Sequence, residues 1–181
     1  FLGKKYCGGE ILNQIKLSKL QSEQPENIYA TATNLLCRGK ILGWFQGKME
    51  FGQRALGNRS ILADPRNENM KKLINSAIKF RESFRPFAPA ILEKEMDNWF
   101  KTCKPILSPY MEKVINIKPE LAHLVPAIVH EDGSCRVQTV SEALTPDFYK
   151  LISEFYKKTN VPLLLNTSFN VNNEPIVESP Q

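Results

Sequence analysis

Val161-Pro162-Leu163-Leu164-Leu165-Asn166-Thr167-Ser168-Phe169-Asn170 changes character halfway along. The first half is a continuous apolar run, the pattern of a strand buried on both faces. The second half alternates. In extended backbone Asn166, Ser168 and Asn170 point one way and Leu165 and Phe169 the other, giving a row of uncharged donors on an aromatic-backed strand. Just upstream, Thr145-Pro146-Asp147 opens a helix with Phe148, Leu151, Ile152, Phe155 and Tyr156 inward and Lys157-Lys158 near its end. A core helix feeding a buried strand fits a sheet flanked by helices. Ligands of such sheets gather beyond strand ends, so Asn166–Asn170 is a candidate site.

A second stretch has a similar rhythm with cations in place of amides. In Ile78-Lys79-Phe80-Arg81-Glu82-Ser83-Phe84-Arg85-Pro86-Phe87, an extended reading puts Lys79, Arg81, Ser83 and Arg85 on one face and Phe80 and Phe84 on a packed one. Pro86 biases Arg85 toward extended backbone and favours a strand over a helix. The stretch is expected to be an anion site on a rigid element. Arginine suits a two-pronged clamp on phosphate, whereas Lys79 acts as a point charge.

Working outward, Glu10–Leu20 and Glu26–Arg38 have helical spacing, the second with Ile28, Ala32, Leu35 and Leu36 inward and Gly39 as a left-handed stop. Ile41–Phe45 reads as a buried strand. The loop Gln46–Ser60 carries three glycines and three cations, Arg54 among them, and can bring backbone close to an anion. Ser60–Ala63 resumes the sheet. Asp64-Pro65 reads as a helix start, and Met70, Leu73, Ile74, Ala77 and Ile78 mark an amphipathic helix. Strands are expected at Phe87–Leu92, Met111–Ile117 and Pro126–His130, with a short helix at Glu93–Phe100. Asp132-Gly133 is expected to turn Pro126–His130 into a hairpin with Cys135–Val140, where Arg136 and Gln138 share a face. Pro175-Ile176-Val177 also looks strand-like.

The 181 residues suit one domain with a substantial core, and 42% hydrophobic with 24% charged residues excludes a disordered chain. No apolar run spans a bilayer and the start lacks the order of a signal peptide, so the expectation is a soluble cytoplasmic chain, without membrane attachment. The absence of an initiating Met and the stop after Ser179-Pro180-Gln181 suggest a piece of a longer protein. A net charge of +5 suits an anionic partner without proving nucleic-acid binding. Cys7, Cys37, Cys103 and Cys135 have neither Cys-x-x-Cys nor zinc-finger spacing and read as reduced thiols, and no metal site is expected. Ser168 has no Gly-x-Ser-x-Gly elbow and reads as a ligand-holding donor, not a nucleophile. His130, before the Asp132-Gly133 turn, is a candidate substrate donor.

Gly47–Arg66, Lys79–Leu92, Ser108-Pro109-Tyr110-Met111, Pro126–Val140 and Val161–Pro180 together resemble the C-terminal domain of the NodU/CmcH-type carbamoyltransferases. Within that run, Lys79-Phe80-Arg81 and Ser168-Phe169-Asn170 look like the Lys-x-Arg and Ser-x-Asn signature of the YrdC-like fold. Lys48 and Gln53 depart from the pattern, where Arg and Pro would be expected. The resemblance implies the fold class α/β (α+β): a twisted mixed sheet flanked by helices, YrdC-like, with a basic concave face. It implies a lead-in over residues 1–39 from a missing upstream domain, and the C-terminal domain proper over 40–181. It implies that ATP and carbamoyl phosphate, with Mg2+ carried by the nucleotide, are converted to a carbamoyl-adenylate and pyrophosphate. Transfer to an acceptor hydroxyl would fall to a metal-binding N-terminal domain of the same full-length chain. Lys79, Arg81, Ser168 and Asn170 then carry the catalytic signature, and Arg54, Arg85, His130, Arg136 and Asn166 bind substrate or nucleotide. Stabilisation of phosphoryl charge is expected, without a covalent intermediate. The competing reading is an RNA- or nucleotide-binding module without catalysis, disfavoured by sparse exposed aromatics beside the cations. A homodimer is compatible with the sequence.

Overall fold

Leu163–Ser168 is the third strand of a six-stranded sheet in the computed structural model, which describes residues 1–181. In chain order the strands are β1 (Leu42–Phe45), β2 (Arg59–Ala63), β3 (Ala88–Leu92), β4 (Lys113–Asn116), β5 (Ser134–Val140) and β6 (Leu163–Ser168), arranged β1-β2-β6-β3-β5-β4. Only β3 and β5 run parallel; the other neighbours are antiparallel. The sheet is therefore mixed, as the resemblance implies.

Composition follows strand position. β2 and β3, flanked on both sides, are buried along their whole length, as are the apolar residues of β6. β1 and β4 are edges with one wet face; Gly43 and Val114 are exposed, so Ile41–Phe45 is a half-buried edge and not the buried strand expected.

The helices are α1 (Gly8–Ser18), α2 (Ile28–Cys37), α3 (Met70–Ala77), α4 (Met96–Trp99, after a 3-10 turn at Glu93–Glu95), α5 (Pro119–Ala122) and α6 (Pro146–Thr159). In α6, proline starts the helix, Phe148, Leu151, Ile152 and Phe155 are fully buried, and Asn160 ends it in left-handed backbone. α2 packs on α6, contributing Ala32 and Leu36 to the shared core, and Tyr29 Oη donates to Asp147 Oδ1 at 2.7 Å between them. Gly39 ends α2 at φ +75°, as expected, although Ile28 is exposed. α1 buries no residue.

Four local expectations fail for identifiable reasons. Asp64 starts no helix; its carboxylate takes the Arg66 N–H at 3.0 Å and the Arg66 guanidinium at 2.6–3.1 Å, and α3 begins at Met70. Ala127 and Ile128 are buried, but Pro126–His130 forms no strand, because β5 finds its partners in β3 and β4 and leaves no hairpin for that segment. Gly133 closes a tight turn instead, its N–H donating to the His130 carbonyl at 3.0 Å. Pro175–Val177 joins no strand, and Val177 makes a single backbone bond to Phe169.

The fourth is the stretch after α3. Residues 78–87 form a loop, with Phe80 at φ +43°, which no strand accommodates and which costs about 1–2 kcal/mol. Phe80 and Phe84 are 64% and 70% exposed and back nothing. Buried Asn75 takes the place of a neighbouring strand. Its Nδ2 donates to the Ser83 and Arg85 carbonyls at 3.3 and 3.0 Å, and its own carbonyl accepts the Arg81 N–H at 3.1 Å.

Candidate anion site

Lys79 is 5% exposed, and its ammonium ends among four oxygens of the β6 terminus. Nζ donates to the Ser168 carbonyl at 2.6 Å and Oγ at 3.1 Å, and to the Asn170 carbonyl at 2.9 Å and Oδ1 at 2.8 Å. Ser168 Oγ donates to Asn170 Oδ1 at 2.6 Å. The two stretches singled out in the sequence thus meet through one ammonium. Burial lowers the Lys79 pKa to about 8, with the nearby Arg81 charge acting in the same direction.

Beside this post opens a cavity of about 110 Å³, walled by Arg54, Arg81, Arg136, Asn166 and Ser168 among others. Arg81 is aimed by two contacts: Nε donates to Asn75 Oδ1 at 2.7 Å, and its guanidinium lies 5.0 Å from the Phe87 ring centre. Arg136 projects from β5. Burial lowers its pKa, and the charges of Arg54 and Arg81 lower it further, while burial chiefly lowers that of Arg81. No carboxylate lines the cavity and none of the three arginines has an ion-pair partner. Three cations converging without a counter-charge repel one another, and a bound anion relieves that repulsion.

The floor of the cavity comes from strand register. Ala88 pairs with Asn166 and Ala90 with Gln138, so all four share a face of the sheet. Because the residues between them are alanines, Asn166 Nδ2 reaches Gln138 Oε1 across β3 at 2.9 Å. The same amides reach up to the loop before β2: Asn166 Nδ2 donates to the Ala55 carbonyl at 3.1 Å and Gln138 Nε2 to the Leu56 carbonyl at 2.8 Å. That loop is braced within by Glu50, 4% exposed, whose Oε1 accepts the N–H groups of Leu56, Asn58 and Arg59 at 2.7, 2.8 and 3.2 Å. Arg59 is fully buried. It donates to the Gln46 and Asn58 carbonyls at 2.6 and 2.9 Å and lies over the Phe45 ring, so it anchors the loop without facing the cavity.

Of the residues named from sequence, Arg54, Arg81, Arg136, Asn166 and Ser168 line the cavity, with Lys79 and Asn170 just behind Ser168. Arg85 does not join the row expected for it: it is exposed and paired with Glu82 at 2.8 Å. His130 lies in a neighbouring groove that shares Pro86 with the cavity. Its imidazole is shifted down, mainly by burial, and Ser134 Oγ sits 3.1 Å from Nδ1. Sequence reasoning passed over Glu50 and Asn75. Asn75 follows Ile74 in α3 and lies outside the apolar i, i+3, i+4 set of that helix, so the apolar period does not mark its burial. Gln53 also lines the cavity. Exposed aromatics are also not sparse here, since Phe80 and Phe84 flank Arg81.

The four cysteines are unpaired, and burial raises the Cys135 pKa to about 12. No helix is long and apolar enough to cross a membrane.

The Carbamoyltransferase C-terminus family profile matches residues 33–181, and the chain belongs to that family. It is 42% identical to nodulation protein NolO of Bradyrhizobium diazoefficiens over 177 residues, covering 95% of this chain and 32% of that protein. It is 42% identical to nodulation protein U of Rhizobium tropici over 147 residues, covering 81% of this chain and 25% of that protein. Against the 3'-hydroxymethylcephem-O-carbamoyltransferase of Streptomyces clavuligerus it is 31% identical over 172 residues, again covering 95% and 32%. The chain spans a quarter to a third of the length of these curated relatives and corresponds to their C-terminal portion.

Proposed function

We propose that this carbamoyltransferase C-terminal domain binds carbamoyl phosphate and ATP and forms a carbamoyl-adenylate, which an N-terminal metal-binding domain of the full-length chain transfers to an acceptor hydroxyl. The observation that carries the reading is the convergence of Arg54, Arg81 and Arg136 on a small cavity with no carboxylate in its wall. A cavity of about 110 Å³ suits a phosphate or carbamoyl phosphate group and leaves the nucleoside outside it.

For the atoms to balance, water first splits the P–O bond of carbamoyl phosphate to give carbamate and inorganic phosphate, and a carbamate oxygen then displaces pyrophosphate from the α-phosphorus of ATP. Each departing group is an anion. Fixed guanidinium donors stabilise the charge that builds on such groups without reorganising at the moment of reaction. Charge-assisted bonds contribute about 1.5–3 kcal/mol each. Lys79 stands one step back, holding the Ser168–Asn170 turn against the cavity, and its positive charge adds to the field. The donor set fits Mg2+ only as an ion carried by the phosphates, because arginines repel a bare cation and no group of His, Cys, Asp or Glu residues is placed to hold one.

The test is ATP-dependent pyrophosphate release with carbamoyl phosphate, in the full-length protein and in Lys79→Ala. Release is expected only with both substrates and is expected to collapse in the variant; undiminished release rejects the assignment. The exposed Phe80 and Phe84 favour a second reading, an RNA-binding module, since bases stack on exposed aromatics beside cations. That reading predicts affinity that grows with oligonucleotide length and falls steeply with salt.

A further inference from the structure

We infer that Glu50 is a positioning residue for the anion site, acting through Arg54. The inference rests on the reading of the cavity as an anion site. Residues 51–54 are exposed and have no packing to hold them, yet Gln53, Arg54 and Ala55 form part of the cavity wall. An exposed tip supplying a wall must be fixed at its base. Glu50 Oε1 does this by accepting main-chain N–H groups from Leu56, Asn58 and Arg59, so one side chain closes the loop on itself. On the sheet side the Ala55 and Leu56 carbonyls are held by Asn166 and Gln138. Arg54 emerges between these two clamps.

A carboxylate so near an anion site would ordinarily weaken it. Here one oxygen is directed into three N–H groups and the side chain does not face the cavity. A rival role exists for Glu50, as counter-charge to the buried Arg59 guanidinium, whose pKa it raises against the effect of burial. The two roles separate chemically. Gln keeps the reach and an acceptor oxygen but loses the charge; Asp keeps the charge but is one methylene short.

The experiment titrates inorganic phosphate into the full-length protein by calorimetry, for wild type, Glu50→Gln, Glu50→Asp, Arg54→Ala and the Glu50→Asp/Arg54→Ala pair, with melting temperatures alongside. Arg54→Ala is expected to weaken phosphate binding about 10- to 100-fold, the loss of one charge-assisted contact. Glu50→Asp is expected to weaken it at least about 5-fold, Glu50→Gln less than about 3-fold, and Glu50→Asp should add less than about 2-fold once Arg54 is absent. A weak Glu50→Gln beside a normal Glu50→Asp overturns the inference in favour of charge balance. Equal losses from Glu50→Asp with and without Arg54 overturn it as well, leaving the cavity reading intact. If Arg54→Ala binds phosphate like wild type, the cavity reading itself fails. Should Glu50→Asp not fold, Glu50→Gln decides alone, and a loss above about 5-fold overturns the inference.

Discussion

Two basic concavities lie on this molecule, and the larger one has less to hold a ligand with. The groove bounded by Lys101, Lys104 and Lys118 measures about 480 Å³, against about 110 Å³ for the arginine cavity. Lys101 and Lys104 are exposed, and none of the three ammonium groups has a hydrogen-bond partner. In the cavity, Arg81 is steered by Asn75 and Phe87, and Arg136 stands on a strand. Free lysines lose side-chain freedom when they clamp a ligand, whereas a cation already fixed does not. Each region gathers three cations, with Asp97 also in the wall of the groove; their supporting contacts separate them further.

The largest effect that can break this contrast is at Lys79. Lys79→Met leaves four oxygens of Ser168 and Asn170 without their shared donor and is expected to cost about 3 kcal/mol of stability, read by urea denaturation. Phosphate affinity should fall more than about 100-fold with it, by calorimetry, since the turn beside the arginines is released. Arg81→Ala and Arg136→Ala come next, each with a loss of about 10- to 100-fold in phosphate affinity and little change in melting temperature. Asn166→Ala removes the amide that joins β6, β5 and the Arg54 loop, and should cost about 1–3 kcal/mol.

A pH series sharpens the contrast further. The Lys79 pKa is about 8 when folded against an ordinary 10.5, so its charge is a burden on the fold below pH 8, relieved as pH rises from 8 to 10.5. Over that window the unfolded chain binds the extra proton. The stability of wild type relative to Lys79→Met should therefore rise with pH, as thermal melts will read. Smallest of all is the triple change Lys101→Ala, Lys104→Ala, Lys118→Ala, expected to alter phosphate affinity less than about 2-fold and stability within about 0.5 kcal/mol per site. A larger loss of affinity would make the groove a site and void the comparison.

Where period and burial agreed, the sequence was readable. The apolar run of β6 and the one-sided α6 predicted themselves, and register then carried Asn166, Ser168 and Arg136 to one place. Lys79–Phe87 alternates as a strand does and yet forms a loop. What decides that backbone is Asn75, an amide in a different element that accepts and donates where a ladder partner would. Long-range satisfaction of this kind leaves no period in the sequence. The same holds for Glu50, which reads as one more charge in a polar loop until its burial is known. Arg85 shows the converse, since identical chemistry four residues from Arg81 ends in a surface pair with Glu82.

The Lys79 post joins positions 89 and 91 residues apart in the chain. Its consequence concerns time. During synthesis the loop after α3 and its cations are made long before β6 exists, and until Ser168 and Asn170 arrive the ammonium has no oxygens to meet. β6 is made after both β2 and β3, yet in the finished sheet it lies between them. Anion affinity would then appear only when the sheet is complete, so that a chain halted short of β6 carries the arginines yet binds nothing.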